Sequence, residues 1–334
     1  MALPDAVAQT VAEVATAFTG VVTVDGSQGR EFELASGLAN RALEVPMRVT
    51  TRFGVASGSK TYTAIIILRL AERGMLSLTE PVRTWLGDDL PLVAPEVTLE
   101  HLLTHTSGIG DYLDEEILEL EDYVLSVPVH TLVTSEDFVP VIDGFPQREE
   151  PGTAFRYNNG GLVVASIIAE RVTGQSYAEL VDAEVVEPAG LTGTGVLRLD
   201  TLPGDAAMGY VLSAGDQVNV LHLPVVATGD GGAFTTADDS LRLWNALVGG
   251  ALVSPEHLAS MTRPRNYSDE EDMRYGLGMW LHATGPALIM EGCDIGQSYR
   301  SWHDPSTGLT ATVLSNTADG VWPMVRALSP LFGG

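Results

Sequence analysis

The apolar positions of this chain change their period along its length, and each period predicts a different element. Residues 20–25, Gly-Val-Val-Thr-Val-Asp, and 30–35, Arg-Glu-Phe-Glu-Leu-Ala, are β-branched or alternating on either side of Gly26-Ser-Gln-Gly29, which predicts a β-hairpin. From 57 to about 183 helical patterns dominate, in 64–73, 99–103 and 160–171, and Gly74 stands where a helix C-terminus is expected. Strand character returns in 275–281, 287–290 and 309–315, with Asp304-Pro-Ser-Thr-Gly308 as a turn, and 321–331 reads as helix. Strands at both ends with helices between them predict an α/β fold of the α+β sandwich type. Its antiparallel sheet would be built from both termini and flanked by helices, with a mainly helical domain inserted. The expected division is 1–56 with 230–334 as the α/β domain and 57–229 as the helical one, with a site at their interface. The acidic stretch 111–150 is too long for a structureless loop and predicts a lid or a helical insertion.

The first 18 residues lack a basic leader-like segment and are interrupted by Asp5 and Glu13, so they read as an amphipathic helix rather than a signal peptide. No apolar run approaches the ~20 residues that span a bilayer. These features predict a soluble, cytoplasmic chain with no membrane partner. A formal net charge of −26 argues against binding a phosphate backbone, so nucleic acid is not an expected partner. The single cysteine, Cys293, excludes an intrachain disulfide and reads as a small packing residue.

One basic residue stands apart. Lys60 is the only lysine among 334 residues, every other cationic side chain being arginine, and it follows Ser57 by three positions in Ser57-Gly-Ser-Lys60. An amine can lose its proton when desolvated, whereas a guanidinium stays charged. A lysine one helical turn from a serine therefore reads as a base beside a nucleophile. The apolar run that follows describes a buried helix, whose N-terminus would stabilise negative charge at Ser57.

Acyl chemistry also needs a proton for the leaving group and donors for an oxyanion. In Pro151-Gly-Thr-Ala-Phe-Arg-Tyr-Asn-Asn-Gly160, Tyr157 can carry a proton and Asn159 can hydrogen-bond a carbonyl, although this segment taken alone is better accounted for by a loop tyrosine and a helix-capping asparagine. Met290-Glu-Gly-Cys-Asp-Ile-Gly296 ends an apolar strand with a glycine that would let a ligand approach, or simply ends in a turn. His101 and His105 have a metal-compatible spacing but no third ligand, and are assigned to structural hydrogen bonds; no metal or cofactor is expected.

Taken in order, Ser57-Gly-Ser-Lys60, Tyr157-Asn-Asn159 and the glycine-containing strand end resemble the three motifs of the serine β-lactamase and penicillin-binding-protein superfamily. The flanks Val97-Thr-Leu-Glu-His-Leu-Leu-Thr-His-Thr-Ser-Gly108, Pro151-Gly-Thr153 and Gly229-Asp-Gly-Gly-Ala-Phe-Thr-Thr-Ala-Asp-Asp239 are similar to its class C β-lactamase-like branch, which includes esterases, D-aminopeptidases and DD-peptidases. The resemblance implies that Ser57 is acylated and donates its N–H to an oxyanion, that Lys60 and Tyr157 share the proton traffic, and that Asn159 orients Lys60 and the substrate carbonyl. Gly292, Cys293 and Asp294 would border the substrate.

The third motif departs from that pattern. Its usual cation or histidine is missing, and Glu291 and Asp294 should repel a carboxylate, while Arg300 and His303 are assigned to the sheet and its turn. The reading is a serine hydrolase acting on a neutral or amine-bearing small ester, amide or short peptide. The alternatives are a D-aminopeptidase, DD-peptidase or β-lactamase, an acyltransferase, or a non-catalytic binding protein. Oligomeric state is not legible from the chain.

Overall fold

The structure, a computed structural model, describes residues 3–115 and 124–332. Among the described residues eight strands form one antiparallel sheet. Its order is Gly29–Ser36, Gly20–Gly26, Thr310–Ser315, Gln297–His303, Leu288–Asp294, Trp280–His282, Met273–Tyr275 and Asn266–Ser268. The N-terminal hairpin thus joins the C-terminal strands directly: Val22 pairs with Val313. The expected α+β architecture, with a sheet drawn from both ends of the chain, is what is found.

Alternation decides which face of the sheet each side chain serves. Val22, Val24, Ile289, Trp302, Ala311 and Val313 pack against Val7 and Val11 of the first helix and Met324, Val325 and Leu328 of the last. Their neighbours Val21, Leu288, Met290, Tyr299 and Leu314 face the other way, into the main core. That core is filled by helix Lys60–Glu72, buried from Lys60 through Leu68, and by helices Asn159–Thr173 and Ala237–Val248. Three successive isoleucines, 65 to 67, are mediocre helix formers; burial, at ~1.5–3 kcal/mol for each side chain, overrides that preference.

Three expectations are refined. The run 275–281 is not one strand: it breaks at Gly276–Gly278 into Met273–Tyr275 and Trp280–His282, because Gly278 (φ +69°) lies against helix Lys60–Glu72, where an added Cβ would be 2.2 Å from Ala64 Cβ. The strand expected at 287–290 continues through Asp294, carrying the third motif into the sheet. The acidic stretch contains short helical segments, Val129–Thr131, Ser135–Phe138 and Val139–Ile142, whose Phe138, Val141 and Ile142 are buried in the core; 116–123 lie outside the described residues.

Candidate active site

Ser57 does not begin an α-helix as the spacing suggested. It sits in a 3-10 turn, Ala56–Ser59, and the α-helix starts at Lys60. Ala56 enters the turn at φ +45°, a conformation costly for a residue with a Cβ, and it is held there by cross-links. Val55 N donates to Ala233 O at 2.9 Å, Gly232 N to Ala56 O at 3.1 Å, and Ser59 Oγ to Ala56 O at 3.0 Å. The turn leaves Ser57 half-exposed while Lys60 is buried at 3% exposure.

Lys60 Nζ has three partners: Ser57 Oγ at 2.6 Å, Asn159 Oδ1 at 2.7 Å and the carbonyl of Asp230 at 2.6 Å. Burial pushes its pKa down, against the opposing pull of Asp230, Glu115, Asp111 and Asp294. Tyr157 completes the group: its hydroxyl lies close enough to Ser57 to interact with it, its ring centre lies 4.9 Å from Lys60 Nζ, and burial holds its pKa well above the phenol range. The two adjacent asparagines divide the work. Asn158 caps helix Asn159–Thr173 by accepting from Gly161 N at 2.6 Å, which leaves Asn159 to face Lys60. Asn159 Nδ2 donates to Leu113 O (2.9 Å) and Glu115 Oε1 (2.8 Å), both acceptors, so its amide can be oriented only with Oδ1 toward the lysine.

Several supporting residues had no local sequence signal. Asp111, buried, accepts from the backbone N of Asn159 (2.7 Å) and of Gly160 (2.8 Å), and burial pushes its carboxyl up to about 7 despite those bonds. His105 is structural, as expected, and its brace is now specific. Its Nδ1 accepts from Asn158 N at 3.1 Å, so Nε2 carries the proton and donates to Tyr275 Oη at 3.1 Å. Burial, then the charge of Lys60, push it well below the usual imidazole range and keep it neutral. His105 lies 4.4 Å and Trp280 6.0 Å from Tyr157, ring centre to ring centre, fixing the tyrosine plane. His101 closes a capping box with Thr98, and among the described residues no group of three metal-ligating side chains occurs.

The structure brings Gly292 to the serine turn. A Cβ there would lie 2.6 Å from both Ser57 N and Gly58 N and 2.2 Å from Val55 O, so the close approach requires glycine. Cys293 lines the cleft beside Ser57, with Sγ 3.5 Å from Ala318 O. Asp294, half-buried, accepts from Ile295 N at 2.7 Å, and burial pushes its carboxyl up to about 7. Arg300 is ion-paired with its cross-strand neighbour Glu291, and His303 is buried against Trp244, with Nδ1 2.9 Å from Thr310 Oγ1. Both serve the sheet, as expected.

The cleft has two lobes that meet at Ser57, Glu115 and Cys293. One carries leucines and Asn159; the other carries Tyr157, Trp280, Asp269, Glu270, Glu271 and Glu291, with Arg156. Among the described residues no helix is long and apolar enough to cross a membrane.

The chain has relatives among known proteins. Penicillin-binding protein 4* of Bacillus subtilis (strain 168) is 28% identical over 284 residues, 80% of this chain and 60% of its own length. Esterase EstB of Burkholderia gladioli is 31% identical over 271 residues, 70% of this chain and 66% of its own length. The chain therefore spans under two thirds of each of these relatives. A penicillin binding protein from Bacillus halodurans has a crystal structure that matches 98% of this chain and all of its own, with a TM-score of 0.90 and 34% identity. The Beta-lactamase family profile matches residues 6–328, which takes in the serine turn, the tyrosine loop and the glycine strand together, and the chain belongs to the Beta-lactamase family.

Proposed function

We propose that the chain is a serine hydrolase that cleaves an ester or amide through an acyl-enzyme on Ser57. The observation that carries this reading is the 2.6 Å contact between Lys60 Nζ and Ser57 Oγ in a setting that disfavours the ammonium form. An unperturbed lysine is almost wholly protonated at pH 7, so the downward push from burial is what makes the base useful. Tyr157, shifted the opposite way, is favoured in its protonated form and suited to act as a donor, which supports Lys60 as the base.

In the first half-reaction Lys60 takes the Ser57 proton as Oγ bonds to the substrate carbonyl carbon. Ser57 N–H is one oxyanion donor. Pairing alternates outward from the two-residue turn at Ile295 and Gly296, so Cys293, opposite Ser298, falls in a non-hydrogen-bonded pair and turns its N–H away from the neighbouring strand. That N–H is the second donor. Collapse breaks the bond to the leaving group, Tyr157 supplies its proton, and Lys60 restores the tyrosine. Water then attacks the acyl-enzyme, giving up a proton to the same pair, and Ser57 is regenerated as the acid leaves.

The site lies at the seam of two proposed domains, 1–56 with 230–334 and 57–229. The carboxylates beside Tyr157 oppose a leaving group that bears an anion, which argues against efficient β-lactam hydrolysis and for a neutral or amine-bearing substrate. They also favour, as a second reading, a peptidase or amidase acting on a substrate with a free amine. The name of Esterase EstB supports the ester reading. Intact-mass spectrometry after exposure to a serine-directed phosphonate, p-nitrophenyl butyrate and a penicillin, with Ser57→Ala as control, tests the assignment. A Ser57-dependent phosphonate adduct is expected; its absence sinks the acyl-enzyme.

A further inference from the structure

The two lobes divide the scissile bond between them. A leaving group has to lie where the proton donor reaches its oxygen or nitrogen, and Tyr157 lines one lobe whereas Asn159 lines the other. The acyl group is thereby assigned to the Asn159 side. Resting on the acylation of Ser57, we propose that this lobe is an acyl-binding subsite for an uncharged aliphatic chain, walled by Leu113, Leu197, Leu199, Leu223, Pro224 and Ile295.

The wall is assembled from separate stretches of chain that converge on the serine, and it is preformed. Leu199, Leu223 and Ile295 belong to a core cluster of their own with Ala206 and Phe234, so a ligand spends no binding energy on ordering them. The polar groups on the same lobe are largely engaged. Asp230 accepts from Tyr112 Oη and, at 2.9 Å, from Thr228 Oγ1, and Asp294 accepts from Ile295 N. Apolar surface is the larger part of what remains to be covered, and an aliphatic acyl chain covers it.

The test is a series of p-nitrophenyl esters from acetate to octanoate. In the wild type kcat/KM is expected to rise two- to fourfold per methylene from acetate to hexanoate, the gain that burial of a methylene supplies. Leu197→Trp, filling the lobe from a half-buried wall position, and Leu113→Trp as a second fill should each lower the hexanoate-to-acetate ratio of kcat/KM at least tenfold. Binding is read separately by calorimetry on Ser57→Ala, which should hold hexanamide at least tenfold more tightly than acetamide. A flat or falling ester series overturns the subsite, as does equal binding of the two amides. A clear preference for hexanamide in a protein whose wild type forms no serine adduct would uphold the aliphatic lobe and remove the acyl-enzyme.

Discussion

Of the three atoms that surround Lys60 Nζ, only Ser57 Oγ has a proton to give. Asn159 Oδ1 and the Asp230 carbonyl are acceptors, so a neutral amine satisfies both with its two N–H bonds and turns its lone pair to the serine 2.6 Å away. The two acceptors thus hold the amine in the orientation that the proposed base needs.

Lys60→Arg keeps a cation in place but removes any accessible neutral form. Acylation by p-nitrophenyl butyrate, followed by stopped-flow release of p-nitrophenol, should slow by roughly 10²–10⁴-fold. Near-normal acylation would remove Lys60 from the role of base.

Gly292→Ala places a methyl group 2.6 Å from Ser57 N and Gly58 N. The strand or the turn must shift, at a cost of about 1–3 kcal/mol in stability. The shift spoils the oxyanion donors, so kcat should fall ~10²-fold or more. Retention of wild-type kcat with an unchanged urea midpoint would show that the two segments are not in contact.

Asp111→Ala strips a buried acceptor from the amides of Asn159 and Gly160. Urea denaturation should show a loss of about 2–3 kcal/mol, the scale for leaving buried donors without a partner. A drop in kcat should accompany it, because Asn159 positions Lys60. A stability change within about 0.5 kcal/mol would mean that the helix start is held by other contacts.

Asp294 and Asp111 both hold their protons more tightly in the folded chain than at the ordinary 3.8, each pushed up to about 7 by burial. Their contribution to stability is therefore complete below about pH 4 and is lost as pH rises through about 7. Asp294→Asn should gain on the wild type in Tm between about pH 5 and pH 8. A Tm difference that stays constant or reverses over that range would contradict the shift.

The carboxylates on the Tyr157 side should rank leaving groups by charge. Between esters matched in size, a trimethylammonium-bearing alcohol should be favoured in kcat/KM over a carboxylate-bearing one, with the gap narrowing as salt is added. Glu270→Gln combined with Glu271→Gln should shrink the same gap. Equal rates for both esters at low salt would show that the leaving group never meets these residues.

Much of the fold was legible because it rests on local periodicity. The hairpin around Gly26–Gly29 and the apolar run after Lys60 state their conformations in a few residues. The sequence alone also singled out the lysine, since a lone amine in a chain whose other basic side chains are arginines is a chemical exception. Tertiary structure decided what local pattern cannot encode. Asp111 reaches Asn159 from 48 positions away, and His105 braces the tyrosine loop from 53, through backbone groups that every residue carries. That Asn158 caps while Asn159 holds the amine, two identical side chains in succession, follows only from which one the helix start turns toward Lys60. The depressed lysine pKa is likewise a property of burial, and burial exists only once the sheet, the 3-10 turn and the surrounding helices have closed around the amine.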